Sequence, residues 1–200
     1  MKGKLLLLVF VLAFAVPSFG GNIGLDFSDG GATGGVISLL GGGGATGVGI
    51  PIGLMKLTGL GPDQLFPVTG TCAGGTTGCL NFDSTTGMFT IHGTADGITG
   101  DLLTTDSAFI VGGGFGTQVL ALGAGSDTKD PALLTALGLW TGLPWDFVGT
   151  TIGLKAAGGG YFATSTDVSN STVTPEPVSM LLMGTFFSLA GGLLAKKKRA

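Results

Sequence analysis

Residues 80–111 read LNFDSTTGMFTIHGTADGITGDLLTTDSAFIV. Short runs of β-branched and aromatic residues (LNFD, MFTIHG, GITGDLLT, SAFIV) are separated by Gly, Asp, Asn and Ser about every ten residues, the spacing of a sandwich or barrel. TQVLAL, TTIGLKA and YFATST continue the pattern to residue 166. Every acid before residue 176 is Asp, a turn former, and none is the helix former Glu. These features predict an all-β region, sandwich or barrel-like, over 63–168. DPALLTALGLW is the exception: Asp130 can N-cap, Pro131 suits the first helical position and Gly138 the exit, predicting one short helix.

Upstream, residues 21–62 are a Gly-rich segment with the clusters GGATGG, GGGGATG and VGIPIGL. Val48, Ile50, Ile52 and Leu54 recur at period two, as on one strand face. Runs of Gly have no side chains to pack, so the sequence leaves open whether this third is loosely ordered or folded. Gly42, Gly44 and Gly47 fit a dinucleotide-binding pattern, but 41 Gly in 200 residues produce such matches by chance and the strand–helix context is missing.

Both ends are apolar and basic. Lys2 and Lys4 precede the apolar run Leu5–Val16, and Ser18 and Gly20 supply small residues, so residues 1–20 read as a signal helix cleaved between Gly20 and Gly21. Residues 178–195 lack charge and are long enough for a transmembrane helix. Lys196, Lys197, Lys198 and Arg199 follow in the terminal stretch 196–200, a cytoplasmic stop-transfer cluster. Both basic ends then lie inside, with the intervening chain exported. Residues 21–175 hold eleven Asp against three Lys (Lys56, Lys129, Lys155), a net charge of −8. Such a segment repels nucleic acid and anionic lipid.

The chain's one Glu, Glu176, stands between Pro175 and Pro177 in the linker 169–177. Flanking prolines hold the backbone extended and accessible beside a membrane. Pro-Glu-Pro, an apolar span and a terminal basic cluster together resemble the PEP-CTERM sorting signal of Gram-negative bacteria, over residues 175–199. The resemblance implies processing by an exosortase after export by the secretion machinery. It further implies transient residence in the inner membrane, then release to the cell surface or extracellular matrix of an exopolysaccharide-producing, biofilm-forming cell. It implies nothing about what the cargo does.

Chemistry-bearing residues are few. Cys72 and Cys79 in CAGGTTGC suit one disulfide in an exported chain, their spacing fitting neither a redox CxxC nor a zinc site. His92, the single His, alternates with Phe89 and Ile91 and so faces solvent, with no nucleophile arrangement around it. GAGSDTKD, with Asp127, echoes one nonapeptide calcium turn, and DFSDGG offers Asp26 and Asp29; single copies read better as solvated turn aspartates. Trp140 and Trp145, with Tyr161 and Asp146 nearby, can stack on and bind sugar, or equally fill a core. No catalytic set, metal site or cofactor is expected. The reading is a non-enzymatic structural protein of the surface or matrix. A carbohydrate-binding adhesin, with extracellular polysaccharide as partner, is the alternative, and a secreted hydrolase comes third.

Overall fold

The computed structural model describes residues 22–41, 43–114, 119–123 and 125–172. The expected signal helix with its Gly20–Gly21 junction, the Pro175-Glu176-Pro177 motif, the apolar run 178–195 and the cluster Lys196–Arg199 lie outside the described residues. Within Asn22–Val173, one compact unit, the chain is all-β with one short helix. Among the described residues no helix is long and apolar enough to cross a membrane.

The quoted stretch forms three antiparallel strands, β6 (Gly78–Asp83), β7 (Met88–Ala95) and β8 (Ile98–Thr105). Their turns follow from local chemistry. The Asp83 carboxylate accepts from Thr85 N at 2.8 Å and Thr85 Oγ1 at 2.6 Å, closing an Asx-type turn. Asp96-Gly97 makes a two-residue turn with both φ positive, 49° and 78°, which matches the right-handed twist of the flanking strands. Along β7, Phe89 and Ile91 face inward and are fully buried, while Met88 and His92 are exposed.

The Gly-rich first third, whose order the sequence leaves open, is folded into strands. It supplies β1 (Gly24–Ser28), β2 (Gly34–Leu39), β3 (Ala45–Ile52), β4 (Leu54–Thr58) and β5 (Gln64–Pro67). Glycine here makes room for neighbours instead of loosening the chain: a Cβ on Gly47 would run into the Phe82 ring. The simple alternation expected over 48–54 also fails. The β3–β6 register shifts between Gly47 and Ile50, and Gly49, at φ 66°, donates its N–H to Asn81 Oδ1 at 2.8 Å. The bulge turns Val48 outward, 63% exposed, while Ile50 and Ile52 stay buried. Leu54 belongs to the next strand and is half-buried.

The remaining strands are β9 (Phe109–Gly114), β10 (Val119–Gly123), β11 (Ser126–Lys129), β12 (Trp145–Ala157) and β13 (Gly160–Thr172), with helix α1 (Pro131–Ala136) after β11. Asp130 Oδ1 accepts from Ala132 N at 2.7 Å, Pro131 opens the helix, and Gly138 follows it at φ 70°. The last strand runs through Thr172, so residues 169–172, assigned to a linker from sequence, belong to the sheet instead. Asn170 and Thr172 are buried there.

Strand pairing runs β13–β2–β3–β6–β7–β8–β11–β12, and β12 pairs back with β13, closing a circuit of eight strands. The long strands β12 and β13 make this possible, because each serves more than one neighbour on an edge. β13 pairs with β2 near Tyr161 and Ala163, and with β1 from Asp167 to Ser171. β12 likewise pairs with β11 at Trp145 and Asp146, then with β10 from Thr150 to Gly153. Two extensions leave the circuit, β1–β4–β5 from β13 and β10–β9 from β12. Inside, Phe89 of β7 meets Phe147 of β12 edge to face, with centroids 4.9 Å apart at 72°. Those strands are not hydrogen-bonded neighbours, so the contact crosses the interior. Each fully buried Phe or Leu contributes roughly 1.5–3 kcal/mol of transfer free energy.

Candidate functional site

Polar residues gather where β11, β12 and β13 meet. In β11 the alternation of a strand puts Asp127 and Lys129 on the inner face, while Ser126 and Thr128 point out. Neither the Asp127 nor the Lys129 side chain keeps any exposed surface. Lys129 Nζ donates to Asp127 Oδ1 at 2.6 Å and Oδ2 at 2.7 Å, and to Asn170 Oδ1 of β13 at 3.2 Å. The Trp145 ring covers the ammonium, 4.8 Å from centroid to Nζ. Asn170 is also tied to β1: its Nδ2 donates to Leu25 O at 3.3 Å, and its backbone N–H donates to Asp26 Oδ1 at 3.1 Å. One buried group of side chains thus joins β11 to β13, and β13 to β1.

Burial sets the electrostatics. It pushes the Lys129 ammonium down to about 8 from 10.5, against the pull of the facing Asp127. It pushes the Asp127 carboxyl up, opposed by Lys129 and reinforced by the charge of Asp146. Asp26 is also raised by burial, with its bond from the Asn170 backbone opposing. Both members of the central pair are therefore shifted toward their neutral forms, a free amine and a carboxylic acid, beside a carboxamide.

A hollow of about 230 Å³ lies along β11, lined by Ser126, Asp127, Thr128 and Lys129 together with Leu134, Thr141, Leu143, Pro144, Trp145 and Asp146. Trp140 stands at 70% exposure on the same connection, its ring over Gly142, where a Cβ would collide with it.

The sequence-predicted residues are dispersed across this frame. Cys72 and Cys79 form a disulfide at the start of β6. His92 is exposed and pairs with Asp101 across β7–β8, Nδ1 to Oδ1 2.8 Å. Trp145 is a correction: it is buried at 3% exposure, because it faces inward opposite Asp127, and cannot present a ring to a sugar. Tyr161 packs partly buried against the core. Of the three aromatics only Trp140 is exposed enough to stack. Asp127 is a second correction: it is an interior ion-pair partner and not a solvated turn aspartate. Asp26 is half-buried in β1, whereas Asp29 does close a turn, accepting from Gly31 N at 2.7 Å and from Thr166 N at 2.9 Å. Among the described residues no group of His, Cys, Asp or Glu is arranged to hold a metal ion.

Lys129 and Asn170 were missed from sequence. One signal was present: Asp127 and Lys129 are two apart in a strand-like run, hence on one face, and an acid and a base sharing a face can be buried as a pair. Asn170 left no comparable signal, since its role depends on β13 lying within reach of β11. Compared with known proteins, the chain matches no family model, no curated protein and no solved structure.

Proposed function

We propose that this chain is an exported, non-enzymatic structural protein of a Gram-negative cell surface or exopolysaccharide matrix, delivered by a PEP-CTERM signal, with a barrel-like all-β body. One observation carries the reading: Pro175-Glu176-Pro177, the uncharged run 178–195 and Lys196–Arg199 stand in that order, with an apolar, basic leader at the other end. The Cys72–Cys79 disulfide fits an oxidising compartment, and the closed circuit of strands supports the barrel-like description.

The test is fractionation with C-terminal mass mapping in a host that carries an exosortase. The released form should lack Lys196 to Arg199, and Glu176→Ala should leave the protein in the inner membrane, because the apolar run that drives insertion is untouched. An intact C-terminal basic cluster in every wild-type fraction would show an ordinary single-pass anchor instead.

A second reading, a carbohydrate-binding adhesin, is favoured by Trp140, exposed and next in sequence to Thr141, which with Asp146 lines the hollow. An aromatic face next to hydroxyl and carboxylate acceptors suits a sugar ring. Retention on a polysaccharide fraction that Trp140→Ala abolishes would select it.

A further inference from the structure

We propose that Lys129 and Asn170 are sites of a self-catalysed covalent modification: an amide joining Lys129 Nζ to Asn170 Cγ, formed within the folded chain with Asp127 carrying the proton.

The three requirements of such a reaction meet at one point. The nucleophile is an amine already seated against its electrophile, with Nζ 3.2 Å from Asn170 Oδ1. Seating of this kind replaces a bimolecular encounter with an intramolecular one. The electrophile is held in one orientation, because Nδ2 is bonded to Leu25 O and the Asn170 backbone to Asp26. The proton carrier, Asp127, touches the amine with both oxygens. Neither ionisable side chain keeps exposed surface and the Trp145 ring stands over Nζ, so the amine is held less tightly protonated than in solvent.

The steps balance without an added reagent. Lys129 Nζ passes a proton to the Asp127 carboxylate, giving a free amine and a neutral acid, the direction in which burial shifts both groups. The amine lone pair then bonds to Asn170 Cγ while the Asp127 acid hydrogen-bonds the carbonyl oxygen. Asp127 relays a proton from Nζ to Nδ2, the Cγ–Nδ2 bond breaks, and ammonia leaves. Overall an ammonium and a carboxamide become a secondary amide and an ammonium ion, with no change of oxidation state. The product ties β11 to β13, two strands separated by β12, across 41 residues of sequence.

Peptide mapping of the reduced, digested full-length protein tests this. The expected result is a branched peptide containing Lys129 and Asn170, lighter than its two linear parts by one ammonia, with Lys129 inert to amine reagents after unfolding. Asn170→Asp should give the same branch by losing one water instead, and Asp127→Asn should leave the two peptides linear. Linear peptides at full mass from folded wild-type protein, with Lys129 labelled, would overturn the bond. A branch that forms as fast in Asp127→Asn as in wild type would overturn the role of Asp127. The wild-type map decides the matter even where a variant fails to fold.

Discussion

The disulfide joins residues 7 apart, at the mouth of a loop that leads into β6. The buried polar group joins Lys129 to Asn170 across 41 residues, and Asn170 to Leu25 and Asp26 across 145 and 144. Both act as cross-braces, yet they restrain different things. Closing a short ring removes little chain freedom, and the cost of closure grows with the length of chain between the ends. The disulfide fixes a local turn. The polar brace lies where the circuit of strands closes, beside the β12–β13 pairing, and ties in the first strand as well. The two also differ in surroundings, since the hydrogen bonds that Asp127, Leu25 and Asp26 make to the brace gain strength from their low-dielectric setting.

Breaking each brace sharpens that contrast. The largest effect is expected from Lys129→Met, which leaves Asp127 buried without its partner and removes the amine of the proposed amide to Asn170. Removing one member of a buried pair costs about 3–5 kcal/mol, so the denaturation midpoint should fall steeply. A loss below about 1 kcal/mol, the range of an exposed pair, would show that the brace is not buried in solution. An intermediate effect is expected from Cys72→Ser with Cys79→Ser. An eight-residue ring is worth roughly 2.5 kcal/mol in loop entropy, and reduction of the wild type should reproduce the loss. If the disulfide variant lost more than Lys129→Met, the ranking of the two braces would be reversed. The smallest effect is expected from Asp130→Ala, which removes the N-cap of α1 without touching either brace. About 1 kcal/mol should be lost, additively with each of the other changes, which double variants would check.

The two braces were unequally legible in the sequence. Two cysteines allow one pairing within the chain, so residue type and spacing alone sufficed to assign the disulfide. The strands of residues 80–166 and the capped helix were legible for the same reason: each rests on signals a few residues apart. The order of the Gly-rich third was not legible. Gly47 matters through Phe82, thirty-five positions away, and a glycine's value as a socket depends on the side chain that fills it. Val48 misled because a bulge at Gly49 reverses the face of everything before it. Trp145 and Asp127 were ambiguous alone: an aromatic can serve core or ligand, and an aspartate turn or interior. Register resolves both, since they face each other across β11–β12. The brace itself needed the longest-range information, the placement of the last strand beside β1 and β12.

The claim that the circuit is closed at the polar brace, and not at the disulfide, is tested most directly by native-state amide exchange. In wild-type protein the amides of β12 and β13 should open only with global unfolding. Reducing the disulfide should lower protection locally, around residues 69–79, and leave β12 and β13 the most protected amides of the chain. Lys129→Met should do the reverse: amides of β11, Phe147, Asn170 and Thr172 should exchange through a sub-global opening while those of β6 and β7 keep the protection of the global transition. Loss of β12–β13 protection on reduction, with none specific to Lys129→Met, would contradict the assignment and place the closure at the disulfide.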